Sequence, residues 1–156
     1  MTDKIDILIL EQLQQDALLT ADALAERLPL SASAIARRVR RMRADGTIAA
    51  DTAVVAENAG KYLSALVLVQ LERHSTDAVD AVRRRLIASA NVQMLLDVSG
   101  AFDLVLLIVA RDMDAFNALA DSLLEDDPAV RRFETSFAKR RRKFSAALPL
   151  AELLGA

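Results

Sequence analysis

The chain has 156 residues, a formal net charge of −2 and a hydrophobic fraction of 53%. This length suits one ordinary domain or two small ones, and the apolar content is sufficient for a packed core. Cysteine is absent, which excludes disulfide bonds and thiol chemistry. No signal-peptide pattern opens the chain, and its apolar runs fall short of the ~20 residues of a membrane helix. We therefore expect a soluble cytoplasmic protein.

Residues 1–50 are predicted to form three short helices. Apolar residues recur at helical spacing near the start of the chain, which indicates a helix over residues 3–15. Thr20 is a candidate N-cap for a second helix, and Ser31 is a candidate N-cap for a third helix that Gly46 ends. Three short helices with a tight turn between the second and the third predict a helix-turn-helix domain.

The chain changes character after the third helix. Residues 47–61 are predicted to form a short extended wing and then a connector strand, so that residues 51–61 link two domains. In residues 62–156 strand and helix patterns follow the order β-α-β-β-α-β, which is the order of a ferredoxin-like fold. The predicted strands cover residues 62–71, 91–98, 104–110 and 130–137, and the predicted helices cover residues 77–88 and 113–124. The expected fold class is α+β, with a winged helix-turn-helix domain before a ferredoxin-like domain.

The first predicted strand is apolar on both faces. One face carries Ala65, Val67, Val69 and Leu71, and the other carries Leu66 and Leu68. An antiparallel sheet with one hydrated face would alternate apolar and polar residues instead. The two helices of the fold cover one face, and a second subunit is expected on the other, since two-fold homodimers are the commonest oligomers. The alternative is that the N-terminal domain folds over this face.

The third predicted helix concentrates positive charge on one side. Five arginines lie between Arg37 and Arg43, within a chain whose net charge is negative. Ile35, Val39 and Met42 form an apolar stripe, so the arginines are expected on the opposite side and on its flanks. In a helix-turn-helix this helix enters the major groove of duplex DNA with its N-terminal residues at the base edges. The alternative interpretation is a solvated, arginine-rich helix without a ligand.

The candidate DNA-binding residues divide by chemistry. Arg37 is placed where a guanidinium can reach guanine O6 and N7, the commonest specific contact. Residues at the start of the helix are small and allow the backbone to approach the bases, and the candidates there are Ser31, Ser33 and Ala34. The remaining arginines are better placed for phosphates, which provide affinity rather than sequence selectivity, and they are Arg38, Arg40, Arg41 and Arg43.

Two long stretches and the closing ALPL resemble the Lrp/AsnC, or feast/famine, family of transcriptional regulators. The stretch DILILEQLQQDALLTADALAERLPLSASAIARRVRRMRADGTI resembles the family's helix-turn-helix. The stretch VSGAFDLVLLIVARDMDAF resembles the glycine-x-aromatic-aspartate turn of its effector domain, with the following strand and helix. The resemblance implies a sequence-specific DNA-binding regulator that responds to a small molecule, usually an amino acid. It also implies homodimers joined through the effector and oligomerisation domains, often assembled into tetramers or octamers.

The resemblance places a candidate effector site in the turn SGAFD. Gly100 and Asp103 are its matched members, and Ala101 and Phe102 lie between them. Glycine allows an unusual backbone angle and the close approach of a ligand, and aspartate can accept hydrogen bonds from a ligand ammonium. The alternative interpretation is a hairpin in which the aspartate merely caps its own turn.

The sequence departs from the family pattern in this turn and in the helix-turn-helix. Ala101 and Leu104 stand where relatives often carry an acidic residue and a tyrosine, which favours an effector with an apolar side chain, or a regulator that needs no ligand. Pro29 stands where relatives often have glycine, and proline cannot adopt a left-handed turn. Thr135 and Ser136, on the last predicted strand, are further candidate ligand contacts through their hydroxyls.

Other classes of function have weaker support. An enzyme on a ferredoxin-like scaffold is disfavoured because no nucleophile set, phosphate loop or metal cluster is visible. His74 is the only histidine, and no cysteine or second histidine accompanies it as a metal ligand, so it is expected to be a surface residue. We expect no metal site and no cofactor. The remaining alternative is a metabolite-sensing interaction module or regulatory subunit without DNA binding, and the intact basic helix face argues against it.

Overall fold

A computed structural model of the chain describes residues 2–72 and 75–154, so His74 lies outside the described residues. The chain divides into two compact units. The first comprises residues 1–55 and 143–156, and the second comprises residues 56–142. Each unit is built around its own apolar core.

The first unit contains the three helices that the sequence predicts. They are α1 (Lys4–Gln15), α2 (Ala21–Ala25) and α3 (Ala32–Ala44). The predicted N-caps are confirmed, since the Thr20 and Ser31 hydroxyls each accept a backbone amide in the first turn of α2 and α3. Gly46 follows α3 with a φ of +79°, a backbone angle that favours glycine. The buried core of the unit consists of Ile9, Leu24, Ile35 and Met42.

The wing and connector strand predicted over residues 47–61 are not present. This segment contains a 3₁₀ helix, Glu57–Ala59, and no β-strand. A strand forms only where a neighbouring backbone takes up its hydrogen bonds, and no described segment pairs with this one. Val54 and Val55 are consequently 88% and 69% exposed.

The end of the chain returns to α1 and forms the short helix α6 (Leu150–Leu154). The Gln14 side chain pairs with the backbone of Leu148, donating to its carbonyl at 3.1 Å and accepting from its amide at 2.7 Å. Oε1 of Glu11 accepts the amide of Ala151, in the first turn of α6, at 3.0 Å. These contacts explain why residues 143–156 belong to the first unit, whereas the sequence assigns them to the second domain.

The second unit has the predicted β-α-β-β-α-β order. Its elements are β1 (Leu63–Leu71), α4 (Thr76–Ala88), β2 (Val92–Asp97), β3 (Leu104–Ala110), α5 (Met113–Ala120) and β4 (Val130–Phe137). The strands form one antiparallel sheet in the order β2-β3-β1-β4. The second predicted helix is longer than α5, which ends at Ala120 and continues as a π-helical turn, Asp121–Glu125. That turn places Leu123 and Leu124 in the core.

The two faces of this sheet have different surroundings. Helices α4 and α5 cover the face that carries Ala65, Val67 and Val69, whose side chains are fully buried, as the sequence predicts. The opposite face has no cover from the described residues of this unit, and Leu66 and Leu96 there are 40% and 48% exposed. The strand pairing places further apolar side chains on this open face, namely Leu68, Met94, Val105, Leu107 and Val109.

A buried carboxylate joins α3 to the start of α1. Asp6 is fully buried, and its Oδ1 accepts a hydrogen bond of 2.8 Å from Nη1 of Arg38. Its Oδ2 accepts a second hydrogen bond from Arg41. Asp3 and Asp6 also cap α1 reciprocally, each carboxylate accepting the other residue's amide. The same two acidic residues therefore begin α1 and hold α3 against it.

The charge of this carboxylate depends on its partners. Burial raises the pKa of Asp6, but hydrogen bonds from Arg38 and from the backbone amide of Asp3 outweigh it and hold that pKa below its ordinary value of 3.8. The backbone amide of Asp6, followed by Arg38, lowers the pKa of Asp3 as well. Because the pKa is lower in the folded state than in the unfolded state, the ionised carboxylate stabilises the fold above pH 3.8, and this contribution is lost as the pH falls through the folded pKa.

We predict that Asp6→Asn lowers the free energy of unfolding of the first unit by about 1–3 kcal/mol at pH 7, because charge-assisted hydrogen bonds to two arginines are lost. The difference from the parent protein should shrink as the pH falls below about 4, where the parent carboxylate also becomes neutral. Urea denaturation at a series of pH values measures both effects. The control Asp22→Asn removes an exposed carboxylate of α2 and should cost far less. A pH-independent loss would show that the charge of Asp6 does not matter.

Candidate DNA-binding surface and effector turn

Helix α3 presents a cationic face to solvent. Ile35 and Met42 are buried and Val39 is half-buried, so the apolar stripe lies in the core as predicted. Arg37 and Arg40 project from the other side, are exposed, and form no ion pair with any carboxylate among residues 2–72 and 75–154. These two guanidiniums therefore have their donors available for an external anion.

The other three arginines of α3 are engaged within the unit. Arg38 is bound to Asp3 and Asp6, and only 24% of its side chain is exposed. Arg41 binds Asp6, and Arg43 binds Asp51 at 3.0 Å, yet each of the two remains nearly half exposed. Of the arginines predicted to contact phosphates, Arg38 is thus held in ion pairs within the unit, whereas Arg41 and Arg43 remain accessible.

The start of α3 is small and polar, as predicted. Ser31 and Ser33 are exposed, and their hydroxyls lie 3.2 Å apart. Ser31 also caps the helix through the amide of Ala34, which is itself half-buried. No bulky side chain at these positions separates the helix backbone from an approaching ligand. The acidic partners of this surface are not predicted from the sequence, although the Asp3-x-x-Asp6 spacing is a capping-box signal.

The predicted effector turn is tied to the sheet through Asp103. Its carboxylate accepts the backbone amide of Leu71 at 2.9 Å, and its own amide donates to the carbonyl of Val69 at 2.9 Å. Its carbonyl accepts the amide of Val98 at 2.9 Å, which closes the turn. Asp103 therefore binds the end of β1 rather than only its own turn. Gly100 adopts a φ of +156°, and a Cβ built there would meet nothing within 4 Å.

The other predicted effector residues lie on different surfaces. The guanidinium of Arg132, on β4, lies over the Phe102 ring at 5.1 Å from its centroid, while Ala101 is exposed. Thr135 pairs with Val67 and faces the helices, where its hydroxyl is buried without a hydrogen-bond partner. Ser136 pairs with Leu66 and faces the open side of the sheet. No hydrogen bond of the described residues joins either hydroxyl to the turn.

A cavity of about 360 Å³ lies beside Asp103. Its lining consists of Leu71, Ser75, Thr76, Val79, Arg83, Asp97, Val98 and Asp103. Asp103 is the only predicted effector residue in this lining. Arg83 carries ion pairs to Asp97 at 2.7 Å and to Asp80 at 3.0 Å, and the hydrogen bond to Asp97, which outweighs partial burial, raises the pKa of Arg83. The cavity thus combines apolar walls with charged groups of both signs.

The described part of the chain lacks two other kinds of site. Within residues 2–72 and 75–154, no group of three histidine, cysteine, aspartate or glutamate side chains is placed to hold a metal ion. Over the same residues, no helix is long and apolar enough to cross a membrane.

Comparison with known proteins assigns both units. Residues 2–49 match the winged helix-turn-helix DNA-binding family, and residues 64–148 match the Lrp/AsnC ligand-binding domain family. The transcriptional regulator AzlB of Bacillus subtilis is 30% identical over 98% of both chains. The DNA-binding transcriptional activator DecR of Escherichia coli is 28% identical over 96% of this chain and 99% of its own.

Solved structures agree with these assignments. A transcriptional regulator of Neisseria meningitidis, in complex with L-methionine, is 28% identical and superposes with a TM-score of 0.87 over 98% of this chain and 99% of its own. A feast or famine regulatory protein of Mycobacterium tuberculosis, also complexed with L-methionine, is 26% identical, with a TM-score of 0.82 over 95% and 99% of the two chains. The chain belongs to the Lrp/AsnC family of DNA-binding transcriptional regulators.

Proposed function

We propose that the protein recognises operator DNA by placing α3 in the major groove, with Arg37 at a base edge and Arg40 on a phosphate. This proposal rests on the difference between the paired and the unpaired arginines of α3. Arg38 is held by carboxylates, whereas Arg37 and Arg40 are exposed with no carboxylate partner in the described chain. Small residues at the start of α3, Ser31 and Ser33 among them, favour close approach to the bases.

The exposed guanidiniums differ in what they contribute. A bidentate contact to guanine discriminates between base pairs, whereas a phosphate contact contributes affinity to every sequence. Arg41 and Arg43 keep part of their side chains accessible and add to the phosphate-binding charge. The proposed function is binding rather than catalysis, and its proposed place of action is the cytoplasm.

The proposed effector is an amino acid with an apolar side chain. Two solved family members contain L-methionine, and the turn of this chain carries the uncharged Ala101 and Phe102. The carboxylate of Asp103 borders a cavity of about 360 Å³ and can accept a ligand ammonium beside its bond to the Leu71 amide. Val79 and Val98 provide apolar lining in the same cavity.

The proposed assembly is a homodimer formed through the open face of the sheet, from which tetramers or octamers can be built. Leu66 and Leu96 are both exposed on this face, and five further apolar side chains share it. Contiguous apolar surface of this kind marks interaction sites, and an identical face from a second copy covers it in a two-fold arrangement.

For DNA binding, we predict that Arg37→Ala weakens operator binding by ~1–3 kcal/mol and relaxes base preference at one position of each half-site. Fluorescence anisotropy with operator DNA and single-base variants measures both effects. The matched control Arg84→Ala removes an exposed arginine of α4 and should leave binding unchanged. If Arg37→Ala and the parent bind all these duplexes equally, α3 does not recognise the bases of the operator.

For effector binding, we predict that Asp103→Asn lowers affinity for the best amino acid by ~1.5–3 kcal/mol, which is about tenfold to a hundredfold. Asparagine keeps an oxygen that can accept the Leu71 amide, so the turn should persist while the charge is removed. Calorimetric titration with a panel of amino acids measures this loss, and Asp121→Asn provides a control at an exposed carboxylate. Unchanged affinity would place the ammonium elsewhere, and a parent protein that binds no amino acid would indicate a ligand-independent regulator.

For assembly, we predict that Leu66→Glu weakens the dimer at least tenfold, because two glutamates would be brought together on the two-fold related faces. Analytical ultracentrifugation over a concentration series measures the dissociation constant. Ile87→Glu introduces the same charge on α4, at a side chain that is 72% exposed, and should have no effect. A parent protein that is monomeric at micromolar concentration would contradict the proposed interface.

A further inference from the structure

Five consecutive cationic residues, Lys139–Lys143, follow β4 with the sequence KRRRK. All five are exposed, and the segment has no helix or strand structure. This is a denser run of positive charge than the one on α3, in a chain whose net charge is −2. None of the DNA contacts proposed for α3 involves it.

Most of this charge is not neutralised by the protein. Lys139, Arg140, Arg142 and Lys143 form no ion pair with a carboxylate of the described residues, whereas Arg38, Arg83 and Arg85 all do. Adjacent like charges repel each other and disfavour a compact segment. A run of this kind is stabilised by an external polyanion, and its long flexible side chains suit phosphates rather than base edges.

The chain itself keeps the run close to the DNA-binding unit. Lys143 belongs to that unit, and Leu148, five residues further on, is fastened to α1 by the paired hydrogen bonds of Gln14. Five residues span at most about 18 Å even when fully extended. The end of the cationic run is therefore always within this distance of the Gln14 anchor on α1.

We propose that Lys139–Lys143 is a second DNA-binding element, which contacts backbone phosphates of the duplex that α3 reads. The proposal rests on the proposed function, because it needs α3 to bring the duplex to the unit. The run contributes affinity and salt dependence to every sequence and no base selectivity. The hydrogen bonds of α1 to Leu148 and to α6 keep the run near the DNA-binding unit.

The test compares two double variants with the same change of charge. R140Q/R142Q removes two cations from the run, and K61Q/R84Q removes two exposed cations elsewhere in residues 56–142. Anisotropy titrations use operator DNA and an unrelated duplex of the same length at several salt concentrations. Each lost phosphate contact reduces the slope of log K against log salt by about 0.9. R140Q/R142Q should reduce this slope by up to about 2 per bound chain and weaken binding to both duplexes about tenfold. K61Q/R84Q should bind both duplexes as the parent does.

The outcomes separate this proposal from the function on which it rests. If R140Q/R142Q keeps the parent slope and affinity while Arg37→Ala loses operator binding, the second DNA contact is wrong and the role of α3 stands. If neither variant changes binding, the proposed function fails as well. If R140Q/R142Q binds DNA as the parent does but loses cosedimentation with phosphatidylglycerol vesicles, the run serves a membrane surface and the proposal is overturned.

A second pair of variants tests the anchor. Gln14→Ala removes both hydrogen bonds to Leu148, and Gln15→Ala is the matched control at an exposed neighbour whose side chain forms no hydrogen bond in the described chain. Release of the segment should give Gln14→Ala a smaller salt slope than Gln15→Ala, with the same fall in affinity for operator and unrelated DNA. Equal slopes for the two variants would contradict the role assigned to the Gln14 anchor.

Discussion

In the DNA-binding unit, the carboxylate of Asp6 is buried between two arginines of α3 while its backbone amide completes the cap of α1. Removing a charge from water is unfavourable unless opposite charges and hydrogen-bond donors replace the solvent, and Arg38 and Arg41 fulfil this role here. Together with the buried stripe that contains Ile35 and Met42, this pairing sets the rotation of α3 about its axis. Because Arg38 binds Asp3 and Asp6 on the inner side of α3, Arg37 and Arg40 lie on its outer side. The proposed recognition surface thus depends in part on how one acidic residue is paired.

The second unit uses an acidic residue in a comparable way. Asp103 binds the amide of Leu71 and the carbonyl of Val69, so the turn that precedes β3 is fastened to the end of β1. A ligand that competes for this carboxylate would act directly on the end of β1, an inner strand of the sheet. The chain leaves the first unit after Val55 and returns to it at Lys143, so the effector unit is joined covalently to the DNA-binding unit at both ends. A change in the effector unit therefore has two covalent connections through which to reach the helices.

Local patterns in the sequence predict most of the elements but few of their long-range partners. The caps at Thr20 and Ser31 and the bounds of β3 and β4 follow from residues that are neighbours in the chain. The missing strand within residues 47–61 depends on a partner backbone, which a local pattern cannot supply. The ion pairs of Asp6 and the return of the C-terminal segment to Gln14 join residues that are 32 to 134 positions apart. Charge runs on α3 are visible in the sequence, whereas the division between paired and accessible arginines is visible only in the fold.

We propose that the arginines of α3 have separate tasks: Arg38 holds the helix, and Arg37 and Arg40 bind DNA. Nitrogen-15 NMR of the arginine Nε–H groups, assigned by single Arg→Lys variants, tests this claim directly during titration with operator DNA. We expect the Arg37 and Arg40 signals to shift and to exchange more slowly with water in the complex. The Arg38 signal should remain where it is in the free protein, because its carboxylate partners are unchanged. A shift of Arg38 as large as that of Arg37, or no change at Arg37 and Arg40, would contradict this division of roles among the arginines.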